Sequence, residues 1–198
     1  MTRSKSQKSA QEQREIIVKA ALMLAKDKGW RDLSLHEIGR KAALPADALD
    51  SLFEDKDDIL TTYGRMVDRR VADAFADGLT DGSPRDRLFD VLMERFDILN
   101  EDRASLIAIL DDIRCDPSYT TIALPHLAHT MKAMLDIAGL ENSGLQGTAT
   151  VFGLAILYIT VIKTWVEDES TDMAKTMAAL DHHLARAEKL AAMAGFSD

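Results

Sequence analysis

The chain has 198 residues, 46% of them hydrophobic, with 24 Lys and Arg against 33 Asp and Glu for a net charge of −9. That composition excludes a disordered or fibrous chain, and the net charge argues against a protein coated in basic surface for nucleic acid. The sole cysteine, Cys115, excludes an intramolecular disulfide and a cysteine zinc cluster and suits a reducing cytoplasm.

The charge is unevenly spread. Residues 1–70 hold 14 basic and 12 acidic side chains, whereas the other 128 hold 10 and 21. Only the front of the chain is suited to approach an anion. Arg3, Lys5 and Lys8 open it, and no apolar stretch follows that could act as a signal peptide.

In chain order, Ile16, Ile17, Ala20, Ala21, Leu24 and Ala25 recur at helical spacing and predict a helix over about 11–28, stopped by Gly29. Ser34-Leu35-His36-Glu37 is a capping box that starts a short helix reaching about Ala42. Pro45 suits the first position of a third helix, with Asp47 near its positive end. Phe53-Glu54-Asp55-Lys56 reads as a restart, and a long fourth helix should run from about Lys56 to Phe75. Asp77-Gly78-Leu79-Thr80-Asp81-Gly82-Ser83-Pro84 is the clearest breaker. Beyond it, helices are expected at about 84–99, 102–114, 118–138, 143–168 and 171–194. No segment alternates with period two for long, so the fold is all-α with about nine helices.

Two late segments bear on assembly. Gly147–Ile162 is apolar nearly all round, and its 16 residues fall short of the ~20 that span a bilayer, which predicts a helix buried on every side and no membrane span. The last helix repeats Met173, Met177, Leu180 and Leu184 as a heptad-like seam, either intrachain core or the interface of a homodimer.

A helix, a capped short helix, a turn, a second short helix and a long helix describe a helix-turn-helix head. Three runs carry a likeness to a known family: Ser34-Leu35-His36-Glu37-Ile38-Gly39, Ala42-Ala43-Leu44-Pro45, and Leu49-Asp50-Ser51-Leu52-Phe53 leading to Asp55-Lys56-Asp57-Asp58-Ile59-Leu60. The spacing holds without a gap from Ser34 to Leu60, and over about 50 residues this resembles the head of TetR-type (TetR/AcrR) transcriptional regulators. The resemblance implies a helix-turn-helix domain at 1–55 and a helical effector-binding and dimerisation domain at 56–198. It implies a ligand-responsive repressor in the cytoplasm, with operator DNA, a small apolar effector and a second copy of the chain as partners. Carried over to this sequence, the DNA-binding positions are Ser34, Arg40, Lys41, Pro45, Ala46, Asp47, Asp50 and Lys56, with the basic N-terminal arm beside them.

The departures from the family pattern are specific. Its turn glycine is Ala43 here, its helix-starting serine is Pro45, and its phosphate-binding tyrosine and histidine are Asp50 and Leu52. The recognition segment thus carries Asp47 and Asp50 and no cation, although an aspartate can accept from cytosine N4. The chain also resembles a lipid-binding accessory family of ubiquinone biosynthesis around Trp165–Asp172, which shares the fold and implies an isoprenoid ligand without DNA binding.

The remaining constellations are weak. His126 and His129 lie at i, i+3 without an acid or cysteine within a turn, His182 and His183 diverge by about 100° on a helix, and Asp111-Asp112 with Asp116 reads as solvated acids. No phosphate loop, Gly-x-Ser-x-Gly or zinc-peptidase motif is present, so neither an enzyme nor a cofactor or metal site is expected. Met93, Met131, Met134, Phe152 and Trp165 are either core or the lining of an effector cavity.

Overall fold

The structure, a computed structural model, describes residues 2–79, 81–114 and 117–193. Among these residues there is no strand, and the helices are α1 Thr2–Lys28, α2 Leu35–Lys41, α3 Ala46–Leu52, α4 Lys56–Ala74, α5 Pro84–Glu101, α6 Arg103–Ile113, α7 Pro117–Ile137, α8 Gly144–Glu167 and α9 Ala174–Met193. Thr80, Cys115 and Asp116 lie outside the described residues, as do the side chains of Arg3, Lys5, Lys8 and Ala46.

Helix α1 begins at Thr2 rather than near residue 11. Thr2–Ala10 contains neither Gly nor Pro, so nothing in the local backbone interrupts the ladder before the apolar stripe begins. Its C-terminus is set by Gly29, whose φ of +83° is a left-handed conformation that glycine adopts without strain. The amide of Gly29 closes the last turn on the Ala25 carbonyl at 2.9 Å.

The chain forms two compact units. The first comprises Met1–Val67 with Leu99–Ile122, and the second Asp68–Ile98 with Ala123–Asp198. In the first, α6 packs against α1 and α2 against α1, around the buried side chains of Ile17, Ala21, Trp30, Ile38, Leu49 and Ile59. In the second, α8 and α9 pack together, and Leu92, Phe96, Met131, Met134, Trp165 and Leu180 are fully enclosed. The Phe96 ring stacks on Tyr158 at 5.3 Å between centroids and lies 6.4 Å from Trp165.

Helix α8 departs from its expected environment. It is 24 residues long and holds an 18-residue stretch with a mean hydropathy of 1.8, long and apolar enough by length and composition to cross a membrane. It is buried on one side only: Val151, Leu154, Leu157, Tyr158, Val161 and Trp165 face inward. On the other side Leu145 is 90% exposed and Ile156 68% exposed, with Phe152 and Ile159 beside them in the helical repeat. The sequence pattern is nearly continuous in hydrophobicity, so it carries no polar stripe to mark the outer face.

Candidate functional site

The head is built by the capping box at Ser34. Its Oγ accepts from the Glu37 amide at 3.3 Å, while the Glu37 carboxylate accepts from the Ser34 amide at 3.1 Å and from the Ser34 hydroxyl at 2.9 Å. Those hydrogen bonds, with the Lys28 ammonium at 3.2 Å, hold the Glu37 carboxyl down at about 2. Gly39 lets α2 meet α3 closely, since a Cβ there would stand 2.6 Å from Leu49 Cδ2. The turn itself passes through Ala43 at φ +55°. Pro45 caps α3 from just outside, its φ of −59° fitting the ring, rather than occupying the first helical position.

This arrangement leaves Arg40, Lys41, Pro45, Asp47 and Asp50 on the surface. The side chains of Arg40 and Lys41, at the C-terminal end of α2, have no hydrogen-bond or ion-pair partner among the described residues. They are cations free to meet a phosphate. Lys56 is not. Its ammonium donates to the carbonyls of Trp30 at 2.9 Å, Arg31 at 2.8 Å and Leu33 at 3.1 Å, and it lies 5.6 Å from the Trp30 ring centre. An ammonium has three N–H donors, so the phosphate contact expected of Lys56 is replaced by a staple across the loop between α1 and α2. Ser34 is similarly committed, its hydroxyl proton going to Glu37.

Asp112 is a second staple on the same loop. One of its oxygens accepts from the Trp30 amide at 2.6 Å and the Arg31 amide at 3.0 Å, and Arg31 reaches the Asp112 carbonyl at 2.9 Å. The amide of Arg31 and the nearby cations outweigh desolvation and lower the carboxyl from its ordinary value. Read as solvated in sequence, Asp112 instead ties α6 to the loop. Only its 81-residue separation from Arg31 hides this.

The second unit revises the pocket and seam assignments. Met93, Met131, Met134 and Trp165 are buried, whereas Phe152 points outward at 47% exposure. A groove of about 360 Å³ in this unit is lined by Phe89, Asp172, Ala174, Met177, Ala178 and Asp181, and by none of those five. Of the α9 seam, Met173, Leu180 and Leu184 are buried within the chain and Met177 is 43% exposed, so the seam is mainly intrachain core. Among the described residues no three His, Cys, Asp or Glu side chains cluster to hold a metal.

Sequence reasoning missed a charged group inside this core. Arg95 is 6% exposed, pairs with Asp68, and donates from Nε to the Tyr158 hydroxyl at 3.1 Å. Thr130 donates to the other Asp68 oxygen at 2.9 Å. Burial pushes the Tyr158 hydroxyl up and keeps it protonated. The signal was present: Arg95 falls three and four residues after Leu92 and Val91, on the apolar side of α5.

The chain matches no family model and no curated protein. It is similar in structure to a TetR transcriptional regulator from Nitrosomonas europaea, with a TM-score of 0.70 and 20% identity over 89% of this chain and 98% of that one. A TetR transcriptional regulator from Rhodococcus sp. RHA1 aligns at a TM-score of 0.60 and 18% identity, covering 89% and 97%. The repressor FadR of Thermus thermophilus, solved with lauroyl-CoA, aligns at 0.52 and 20%, covering 87% and 91%. The chain has the fold of TetR-type transcriptional regulators.

Proposed function

We propose that the chain is a ligand-responsive, DNA-binding repressor of the TetR type that acts as a homodimer in the cytoplasm. The observation that carries the reading is the capped α2–turn–α3 motif with Arg40 and Lys41 exposed and unpartnered beside it. Phosphate contacts position such a motif, and the exposed carboxylates of Asp47 and Asp50 are acceptors suited to cytosine N4 in the major groove. Dimerisation falls to the outward face of α8, where Leu145, Phe152, Ile156 and Ile159 form an apolar stripe. Such a stripe on a soluble protein marks an interface, and a two-fold pairing covers it with a second copy of itself.

The test is a salt titration of binding to the DNA flanking the protein's own gene. Wild type should bind with a steep negative dependence of log K on log salt. Arg40→Ala should weaken binding to every sequence and flatten that slope by about one unit for each phosphate left without its cation, about two for a symmetric dimer. Absence of salt-dependent binding by wild type would return the chain to the lipid-binding reading.

A further inference from the structure

The groove in the second unit has a lining suited to one class of ligand. Phe89, Ala174, Met177 and Ala178 make it mainly apolar, and the polar side chains of the lining are Asp172 and Asp181. Its volume of about 360 Å³ falls within the roughly 300–1,000 Å³ of small-molecule sites, whose walls are mostly apolar with a few placed polar groups. No cation belongs to the lining. Arg85, from outside it, engages Asp181. Asp172 has no ion-pair partner among the described residues. Nor does α9 need it as a cap, because the Ala174 amide already donates to Ser170 Oγ at 2.9 Å and meets Asp172 only at 3.3 Å. Between Asp172 and Ala174 stands Met173, buried and held at a left-handed φ of +52°. Such strain in a residue with a side chain persists where the surroundings over-determine it, and it collects at ligand sites. Here the buried Met173 side chain fixes the backbone that carries Asp172 beside the groove.

We propose that this groove binds an amphiphilic monocation, an alkyl or aryl amine whose ammonium pairs with Asp172 and whose apolar body lies along Phe89 and Met177. Charge selects the class. With Asp181 held by Arg85, one carboxylate is left uncompensated; a neutral ligand leaves it so, and an anion is repelled by it. Beyond residue 70 acids outnumber bases 21 to 10, which draws cations to this part of the chain. The Phe89 ring adds a surface that attracts an ammonium as well as an alkyl chain. A metal ion matches less well, since the lining brings no imidazole or thiolate to join the one free carboxylate. The inference deepens the ligand-responsive reading and rests on it only for the ligand's role as effector. It changes the effector from apolar to cationic and places it between α5 and the start of α9 rather than among Met93, Met131, Met134 and Trp165.

Calorimetry on the purified full chain at neutral pH and low salt, without DNA, tests this. The probes are 4-phenylbutylamine and octylamine, compared with the alcohol and the carboxylate of the same apolar body. At least one amine should bind about fivefold more tightly than its alcohol, the upper end of what an exposed ion pair supplies. Its carboxylate should bind more weakly than either. Asp172→Asn keeps an oxygen beside the Ala174 amide and should erase the advantage of the amine while leaving the alcohol unchanged. Met177→Arg, at a position 43% exposed that tolerates a charge, should weaken the amine by at least about fivefold by placing a cation in its path. Asp32→Asn, which removes an acid from the first unit, should leave amine binding as it is. No binding of either amine, equal binding of amine and alcohol, tightest binding of the carboxylate, or an advantage of the amine that survives Asp172→Asn overturns the proposal. So does amine binding that Met177→Arg leaves unchanged or that Asp32→Asn weakens as much as Asp172→Asn does. Since no DNA is present, failure here and failure of operator binding are read separately.

Discussion

Ala43 holds a left-handed conformation that an L-residue adopts at a cost, and it does so at the turn between α2 and α3. Ala43→Gly removes that strain and partly offsets the gain by loosening the unfolded chain, so it should stabilise the protein by about 0.5–1 kcal/mol, read as a higher urea midpoint. A lower midpoint would mean the turn is not built this way. At the start of α9, Asp168 is almost wholly buried and accepts from the Thr176 amide and hydroxyl, both at 2.8 Å, and from the Ser170 amide at 3.0 Å. Burial alone would raise its carboxyl, but these donors outweigh it and lower the carboxyl below its ordinary 3.8. The unfolded state therefore binds a proton that the folded state refuses, so the stabilisation is full above about pH 4 and is lost as pH falls through the acid range. Asp168→Asn should cost about 1–3 kcal/mol near neutral pH. It should also flatten the acid limb of the stability profile measured by denaturation from pH 3 to 7. An unaltered acid limb would remove Asp168 from this role.

Most helix positions were legible because apolar spacing and punctuation agree: the capping box at Ser34 and Gly29 after α1 both fall where the structure breaks. What escaped is what spacing cannot encode. In α8, Ile156 and Leu157 are equally hydrophobic, yet Leu157 is buried and Ile156 is exposed. Which side of so apolar a helix is covered depends on the helices packed on it, α9 and α5, not on local pattern. Lys56 looked like a surface cation because its acceptors, the carbonyls of Trp30, Arg31 and Leu33, lie over 20 residues away. The exposed side of α8 gives a direct prediction. Wild type should run as a dimer by light scattering at micromolar concentration, and Ile156→Arg, which places a charge in the proposed seam, should run at the monomer mass with its helical content intact. A dimeric Ile156→Arg would move the interface elsewhere.

At the scale of the molecule, the DNA binding proposed above has to be reconciled with a net charge of −9. The acids concentrate beyond residue 70, so in the proposed reading the approach falls to the head. Around α2 and α3 one head offers few cations: the side chains of Arg40 and Lys41 are free, Lys56 is committed, and α3 presents Asp47 and Asp50. Tight binding by a single head is therefore disfavoured, and affinity should depend on two heads engaging together. In a symmetric dimer these meet two half-sites about one helical turn apart, 34–36 Å. Inserting about 5 base pairs between the half-sites turns them to opposite faces of the duplex, whereas about 10 restores the face but lengthens the span. The 5-base-pair insertion should thus reduce affinity toward that of one half-site, and Ile156→Arg should reduce affinity for the unaltered site to a similar level without touching the head. Gel-shift titrations of both DNAs and both proteins at one fixed salt concentration separate the cases. If the insertion leaves wild-type affinity unchanged, the heads act independently and the symmetric reading fails.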